Sequence, residues 1–372
     1  MENRERESGI ELLKIIAIIL IIISHAAQDL CKDDFSSWNF HINLEHCTTN
    51  IQYLVLILFR HIGFLGNHIF FLSSAWFLCG KNKPRKGGKI LHMWLDIWFI
   101  SILCLLFFAI LGVDISAKDV IKSIFPLTFN NNWYVAAYLI FYAIFPYLNQ
   151  IIDKISQKEL LTANIIGLFM YYGIGFFHTT FYSSLPVLFI VMYFCMAYVK
   201  LYLKDLSLKK GIYYILVLFG ICGMTGVVLA ANFVGFKVSY IGEKMLHWAT
   251  MNNPFILLIA FSLFQIFRQK TFVNVSINRI AGLSLLIYLF HENLIFKRYV
   301  RPLAFYYIYN SFGHQYVVLW VLLYSAVLTA GSALVSFLYR QTLQKLTFRL
   351  SLYISEKITP LYNKWISVLM KI

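Results

Sequence analysis

Two titratable residues, Lys14 and His25, stand in the first long apolar segment of the chain. They are eleven positions apart, which in an α-helix places them on one face and ~16 Å apart along the axis. Titratable groups are costly inside a bilayer and are therefore candidates for function. Imidazole titrates near neutral pH and suits acid–base or acyl-transfer chemistry. The alternatives are a Lys14 that reaches the headgroups and a His25 at the membrane interface. Glu11, one turn before Lys14, is placed to pair with it.

Polar residues recur in two later apolar segments. The second segment contains Arg60, His61, Asn67 and His68, with Gly63 and Gly66 between them. These glycines predict a helix break or close helix packing. The late segment Ile280–Phe296 contains His291 and Glu292. Counting from Cys79 back to His68 and from Ile280 on to His291 places each histidine ~16 Å deep. Three histidines at similar depth predict a shared polar cavity; the alternative is polar contacts that hold helices together.

A basic stretch follows the second apolar segment directly. Its five cations are Lys81, Lys83, Arg85, Lys86 and Lys89. One interpretation is a stop-transfer signal. The other is a site for a polyanionic nucleotide such as coenzyme A, because Lys and Arg bind phosphates. The sequence has no Walker A loop, so nothing in it indicates coupling to ATP.

The composition of the chain indicates which elements must position these residues. The 372 residues are 60% hydrophobic and only 13% charged, with a mean hydropathy of +0.69, against ~45–50% and ~25% in soluble domains. This excludes a soluble globular enzyme, a disordered chain and a coiled coil. We predict an all-α integral membrane domain over residues 1–338. A basic amphipathic tail over residues 339–372 is expected to lie on the inner leaflet.

A membrane span needs ~20 mostly apolar residues, and this length predicts about ten transmembrane helices. The predicted spans are Ile10–Gln28, Ile51–Cys79, Leu91–Gly112, Trp133–Asn149, Leu160–His178, Leu185–Leu203, Ile212–Ala231, Pro254–Phe267, Ile280–Phe296 and Tyr316–Leu338. Ten spans put both termini on one side of the membrane. The segments on that side hold 22 Lys and Arg residues, and those on the other side hold 8. The positive-inside rule therefore predicts cytoplasmic termini in a multi-pass protein of the cell membrane.

The net charge of +15 follows largely from this topology, so no nucleic-acid partner is expected. The short apolar core before Ser24-His25-Ala26-Ala27 also fits a cleaved signal peptide, but the acidic residues that precede it disfavour one. Cys31 and Cys47 share the first external loop, and whether they form a disulfide stays open. The irregular spacing of His41 and His46 in that loop disfavours zinc, and we expect no metal.

Four segments, in chain order, resemble the type-3 membrane acyltransferases: residues 7–27, 70–78, 132–149 and 284–293. The first carries an acidic residue, a basic residue three positions later and a histidine after ten intervening positions, here Glu11, Lys14 and His25. The second resembles the Phe-rich motif of the second span, with Ser73-Ser74 where the family usually has Ser-Gly. The last resembles a Tyr-Leu-x-His motif and ends in His-Glu-Asn, as in surface-polysaccharide acetyltransferases.

The resemblance implies a ten-span O-acetyltransferase without an appended esterase-like domain. It would move an acetyl group from cytoplasmic acetyl-CoA to a hydroxyl of a cell-surface polysaccharide or envelope glycan. The implied catalytic residues are His25, as base or acyl relay, Lys14 and His291. The implied donor-binding residues are Lys14, Lys83, Arg85 and Lys86. The implied acceptor-binding residues are Arg60, His68, Trp133 and Glu292.

Two other classes of protein fit parts of the sequence. Polar residues at mid-membrane and broken helices also suit a transporter or exporter of a glycan or small metabolite, although the sequence contains no internal repeat. A non-catalytic assembly component or sensor is the third class. The bilayer is a partner in every case, and formation of a homo-oligomer stays open.

Overall fold

The computed structural model of the protein describes residues 8–29, 49–80, 88–177, 184–203, 210–237 and 250–369. These ranges are helical, with no strand among them, and eight of their helices are long and apolar enough to cross a membrane. The predicted class, an all-α membrane protein, is therefore confirmed. Cys31 and Cys47, whose pairing was left open, and the cations Lys83, Arg85 and Lys86 lie outside the described residues.

The helices follow one another closely along the chain. In order they are α1 (Ser8–Asp29), α2 (Asn50–Leu78), α3 (Gly88–Ile110), α4 (Ala117–Ile124), α5 (Trp133–Lys154), α6 (Gln157–Leu168, continued by a π-helical turn Phe169–Ile174), α7 (Leu185–Tyr202), α8 (Lys210–Lys237), α9 (Pro254–Arg268), α10 (Val275–Ala281), α11 (Ser284–His291), α12 (Arg301–Phe312), α13 (Val317–Gln341) and α14 (Leu343–Leu369).

Eight of the predicted spans, the first seven and the tenth, correspond to the eight long apolar helices. The eighth corresponds to α9, which has only 15 residues. The ninth, predicted as one helix over Ile280–Phe296, is instead divided into α10, α11 and a π-helical turn over Phe296–Val300. Gly282 ends α10 and Glu292 ends α11, so this segment is a broken helix. Such breaks are tolerated at membrane depth where the backbone is buried in protein.

The two glycines of α2 allow close packing and do not break the helix, which is continuous. A Cβ added at Gly63 would lie 2.7 Å from the Cβ of Ser24, and one added at Gly66 would lie 2.5 Å from the carbonyl oxygen of Ala17. Small residues let membrane helices approach in this way. The approach holds the C-terminal half of α1, with His25, directly against α2.

The start of α1 and the end of α13 lie at the same end of the bundle, which we call the base. Ser8 donates to the Asn278 side chain of α10, and Gly282, which follows α10, lies beside the Arg340 side chain of α13. The opposite end, where α1 ends and α13 begins, is called the top. The chain turns at Thr342 between α13 and α14, four residues after the boundary predicted for the basic tail.

Candidate active site

Three side chains meet where the end of α1 contacts the end of α11. The Nδ1 atom of His25 lies 3.0 Å from Nε2 of His291 and 3.0 Å from Oε1 of Glu292. His291 and Glu292 are buried, whereas 12% of the His25 side chain is exposed. Two residues predicted from separate parts of the chain to be catalytic are thus in direct contact.

The partners of His291 decide which nitrogen of His25 carries the proton. His291 Nδ1 lies 2.7 Å from the carbonyl oxygen of Ile287, and a carbonyl only accepts, so Nδ1 is protonated. In neutral His291 the Nε2 atom is then an acceptor, and His25 Nδ1–H donates to it. Glu292 accepts from the same side of the ring. A neutral His25 therefore has its lone pair on Nε2, the nitrogen that takes no part in these contacts.

The helix break places His291 and Glu292 opposite His25. Glu292 is the C-cap of α11, and the Asn293 side chain then accepts from the backbone N–H groups of Ile295 and Phe296. Asn293 thus caps the helical turn that follows, as Asn commonly does. Because the chain changes direction here, residues 291 and 292 both lie at a helix end, where their side chains turn towards α1.

A wholly buried arginine, Arg301 at the start of α12, fixes this arrangement. Its Nε and Nη2 atoms donate to the two carboxylate oxygens of Asp29, at 2.8 and 3.2 Å. Its Nη1 atom donates to Glu292 Oε1 at 2.7 Å and to the carbonyl oxygen of His291 at 3.1 Å. Arg301 therefore clamps the end of α1 to the end of α11. We call His25, His291, Glu292, Arg301 and Asp29 the His25 centre.

The charges of the His25 centre, counted together with the adjoining Lys297, are balanced when His25 is neutral. Lys297 Nζ lies 3.3 Å from Glu292 Oε2, so two carboxylates face two cations. The ligand atoms of His25, His291 and Glu292 are also close enough to suggest a metal site. However, the shared oxygen of Glu292 already accepts from Arg301, whose positive charge opposes a cation. The contacts favour a hydrogen-bonded network over a metal site, and the absence of a metal stays a prediction.

Other predicted site residues lie apart from this contact. His68 is buried, with Nδ1 2.9 Å from the Phe64 carbonyl oxygen and Nε2 2.8 Å from the Tyr172 hydroxyl. Both ring nitrogens are therefore engaged away from His25. Trp133 is half-buried beside Tyr134, whose ring lies 6.5 Å from that of Tyr288. Tyr288 in turn contacts the ring of His291, so Trp133 is two aromatic side chains removed from it.

Two further predicted site residues, Lys14 of α1 and Arg60 of α2, lie at different levels of the bundle. Lys14 forms the expected ion pair with Glu11, at 3.0 Å. The Arg60 carbonyl oxygen accepts from Ser24 at 2.6 Å, one residue before His25. Arg60 therefore lies at the level of the His25 centre, and Lys14 lies nearer the base.

Two cations near the base had no assigned role in the sequence. Lys200 donates to the carbonyl oxygens of Trp76 and Cys79, at 2.7 and 2.8 Å, and so caps the end of α2. The Arg268 guanidinium lies 4.9 Å from the centre of the Trp76 ring. Both cations therefore lie at the end of α2, and the basic stretch that was predicted to bind coenzyme A follows α2 directly in the sequence.

The fold defines a multi-pass membrane protein, and comparison with known proteins gives its family. A family model described as an acyltransferase domain matches residues 7–339. The chain therefore belongs to the type-3 acyltransferase family, and the predicted family is confirmed. No curated protein matched the chain, and no solved structure matched it.

Proposed function

We propose that this membrane acyltransferase moves an acetyl group from cytoplasmic acetyl-CoA to a hydroxyl of a cell-surface polysaccharide or envelope glycan. The observation that carries the proposal is the state of His25. Its Nδ1 is held by His291 and Glu292, its Nε2 keeps a lone pair, and part of the side chain is exposed. A histidine held by a carboxylate on one nitrogen and available at the other is the arrangement of a general base.

In a direct transfer, the acceptor oxygen attacks the thioester carbonyl carbon while its proton passes to His25 Nε2. A carbon–oxygen bond forms, the carbon–sulfur bond breaks, and the proton then reaches the departing thiolate. In a relay, Nε2 itself attacks the thioester and releases the thiolate. The acceptor oxygen then attacks the acyl carbon, the carbon–nitrogen bond breaks, and the acceptor proton passes to the freed Nε2 and on to the thiolate. Glu292 stabilises the positive charge of the ring in either route. His291, with both nitrogens engaged, acts as a positioning residue.

The test is transfer of isotopically labelled acetyl groups from acetyl-CoA to the surface glycan of the host by purified protein in lipid nanodiscs. NMR of the glycan from cells with and without the protein identifies the acetylated hydroxyl. We expect labelled glycan and free coenzyme A in equal amounts. Movement of unmodified glycan across vesicle membranes without acetyl transfer would instead support the transporter alternative.

The orientation of the chain decides where the donor enters. Reporter fusions at Lys86 and at the C-terminus are expected to be cytoplasmic, and a fusion at Asn39 is expected to be external. Lys14, Lys200 and Arg268 would then lie on the donor side with the basic stretch. The opposite pattern would contradict both the orientation and the proposed entry of acetyl-CoA.

Neutralising Lys83, Arg85 and Lys86 together is expected to raise the KM for acetyl-CoA at least about tenfold, since each phosphate contact contributes on the order of 1 kcal/mol. The kcat is expected to change little. Steady-state kinetics measures both constants, and Lys118→Gln on the opposite side of the membrane is the control. If only the amount of inserted protein falls, the stretch serves topology and not donor binding.

A further inference from the structure

A groove separates α3 from α13 on the flank of the bundle. The two helices are joined at the base, where Tyr339 donates to Asp96 at 2.9 Å. A cavity of about 650 Å³ lies between them, with Tyr339 itself in its lining. Its walls include Leu103 and Phe107 of α3 and Val327 and Val335 of α13. The side chains that line this groove are almost all apolar.

The groove has the length of a hydrocarbon chain. Its α13 wall runs from Val327 to Thr342, or ~22 Å of helix, compared with ~30 Å for the hydrocarbon core of a bilayer. Gly331 lies in this wall, and a Cβ added there would meet no atom within 4 Å. The groove is thus open where a lipid chain running along the membrane normal would lie.

Two residues that line the groove are close in sequence to the His25 centre. Phe290 and Phe296, which line it, flank His291 and Glu292 in the chain. Towards the top, Phe108 stacks on Phe296 with ring centres 5.9 Å apart. Lys297 and Arg298 follow immediately. A chain seated in the groove would therefore contact the segment that carries His291 and Glu292.

The top of the groove offers donors for an anionic headgroup. Arg298 pairs with Asp119 at 3.0 Å, and 38% of its side chain is exposed. Lys297 pairs with Glu292. A guanidinium has five N–H donors and binds phosphate well, so Arg298 can hold Asp119 and still meet a phosphate at the surface. The combination of an apolar groove and a basic end fits an amphiphile with a phosphate headgroup.

We infer that the groove holds the hydrocarbon chain of a lipid phosphate that carries the acceptor glycan. The inference rests on the proposed function, since it names the form in which the acceptor arrives. An acetyl donor has no chain long enough to need such a groove. Ordinary bilayer lipid would not need a groove bounded by the residues that flank His291 and Glu292. The chain thus places a membrane-bound acceptor beside His25.

The test compares one glycan in two forms, linked to a polyisoprenyl phosphate and free in water. Gly331→Phe fills the groove, and Gly226→Phe on α8 is the matched control, because a Cβ added at Gly226 also meets no atom within 4 Å. With Gly331→Phe we expect kcat/KM for the lipid-linked glycan to fall about tenfold or more, as when some two buried methylene groups lose their contacts. Transfer to the free glycan should stay within about twofold, and the control should change neither.

Three outcomes would overturn the inference. One is an equal loss for both acceptors with Gly331→Phe, or no loss for either. Another is a loss confined to acyl-CoA donors of longer chain, which would assign the groove to the donor.

The third comes from photolabelling with a diazirine-bearing polyisoprenyl phosphate. We expect labelled peptides from α3 or α13, and competition by unlabelled polyisoprenyl phosphate. Equal competition by phosphatidylcholine would mean ordinary lipid. Absence of transfer to either acceptor by the wild type would instead contradict the proposed function.

Discussion

Two buried carboxylates in this protein have opposite surroundings. Glu292 contacts a histidine and two cations, His25, Arg301 and Lys297. Asp96, near the base, accepts hydrogen bonds from three neutral groups, the Tyr339 hydroxyl at 2.9 Å, the Thr347 hydroxyl at 2.6 Å and the Gln344 amide at 2.8 Å. Burial of a carboxylate is common to both sites. What distinguishes the His25 centre is a carboxylate surrounded by two cations and a histidine at 3.0 Å, whereas the histidine nearest Asp96 lies 3.5 Å away and no Lys or Arg is paired with that carboxylate among the ion pairs of the described residues.

The Asp96 cluster instead joins helices. Its donors come from α13 and from α14, so one carboxylate on α3 fixes the angle at which α14 leaves the bundle. His92, one turn before Asp96, lies 3.5 Å away, and its ring packs against Phe348 of α14. A buried carboxylate with both oxygens hydrogen-bonded in this way gives specificity of packing. We therefore assign function to one site and architecture to the other, and three substitutions test this contrast.

The largest effect is expected at His25. His25→Gln removes the base and should lower kcat about 10²–10⁴-fold, the usual contribution of a general base. His68→Gln is the matched control, because His68 is also a buried membrane histidine but has both nitrogens engaged by Phe64 and Tyr172. Acetyl transfer is measured per folded protein, with folding followed by size-exclusion chromatography. Activity of His25→Gln within about twofold of wild type would remove the catalytic role.

The next effect is expected at Arg301. Removing one partner of a buried ion pair costs about 3–5 kcal/mol, so Arg301→Met is expected to be poorly folded. Arg301→Lys keeps the charge but loses the two-point contact with Asp29. We expect it to fold and to lose about 10–100-fold in kcat, because small displacements of reacting groups cost that much. The KM for acetyl-CoA should change little.

The control is Tyr324→Phe, which removes only the hydrogen bond to the Arg301 carbonyl oxygen and should keep nearly full kcat. A rise in KM at constant kcat for Arg301→Lys would contradict a positioning role.

These residues also mark how far the sequence could predict the site. Helix α1 and the face that carries His25 follow from local periodicity, which a single sequence contains. His291 and Glu292 were found because polar residues at membrane depth are rare. Asp29 was missed, although a signal existed: it lies four positions after His25, and residues spaced this way share a helix face. The glycines of α2 predicted either a helix break or close helix packing, and the structure shows the close packing of α1 and α2.

Arg301 could not be placed because its contact depends on the broken ninth segment. In one continuous helix Glu292 and Arg301, nine residues apart in the sequence, would be separated by ~13 Å along the axis. The break at Glu292 and Asn293 lets the chain return, so that Arg301 reaches Glu292 at 2.7 Å. Depth alone likewise misled the grouping of His68 with His25. Depth gives the height of a residue but not the direction of its side chain, and Tyr172, which His68 contacts, is 104 residues away.

The smallest effect on activity, and a clear effect on stability, is expected at Asp96. Asp96→Asn keeps an acceptor for Tyr339 and Thr347 but replaces the oxygen that accepts from Gln344 with a second donor. A buried donor left facing another donor costs about 1–3 kcal/mol, so the unfolding temperature should fall. The kcat per folded protein should stay within about threefold of wild type, because no group of the His25 centre is touched. Thermal unfolding in detergent and acetyl transfer on the same preparation measure both quantities.

The control is the double variant with Gln344→Leu. Because Gln344→Leu removes the opposing donor, the double variant should regain much of the stability that Asp96→Asn loses. A large loss of kcat in Asp96→Asn at unchanged stability would contradict the division, because the Asp96 cluster would then act on the chemistry and not only on the packing of α14.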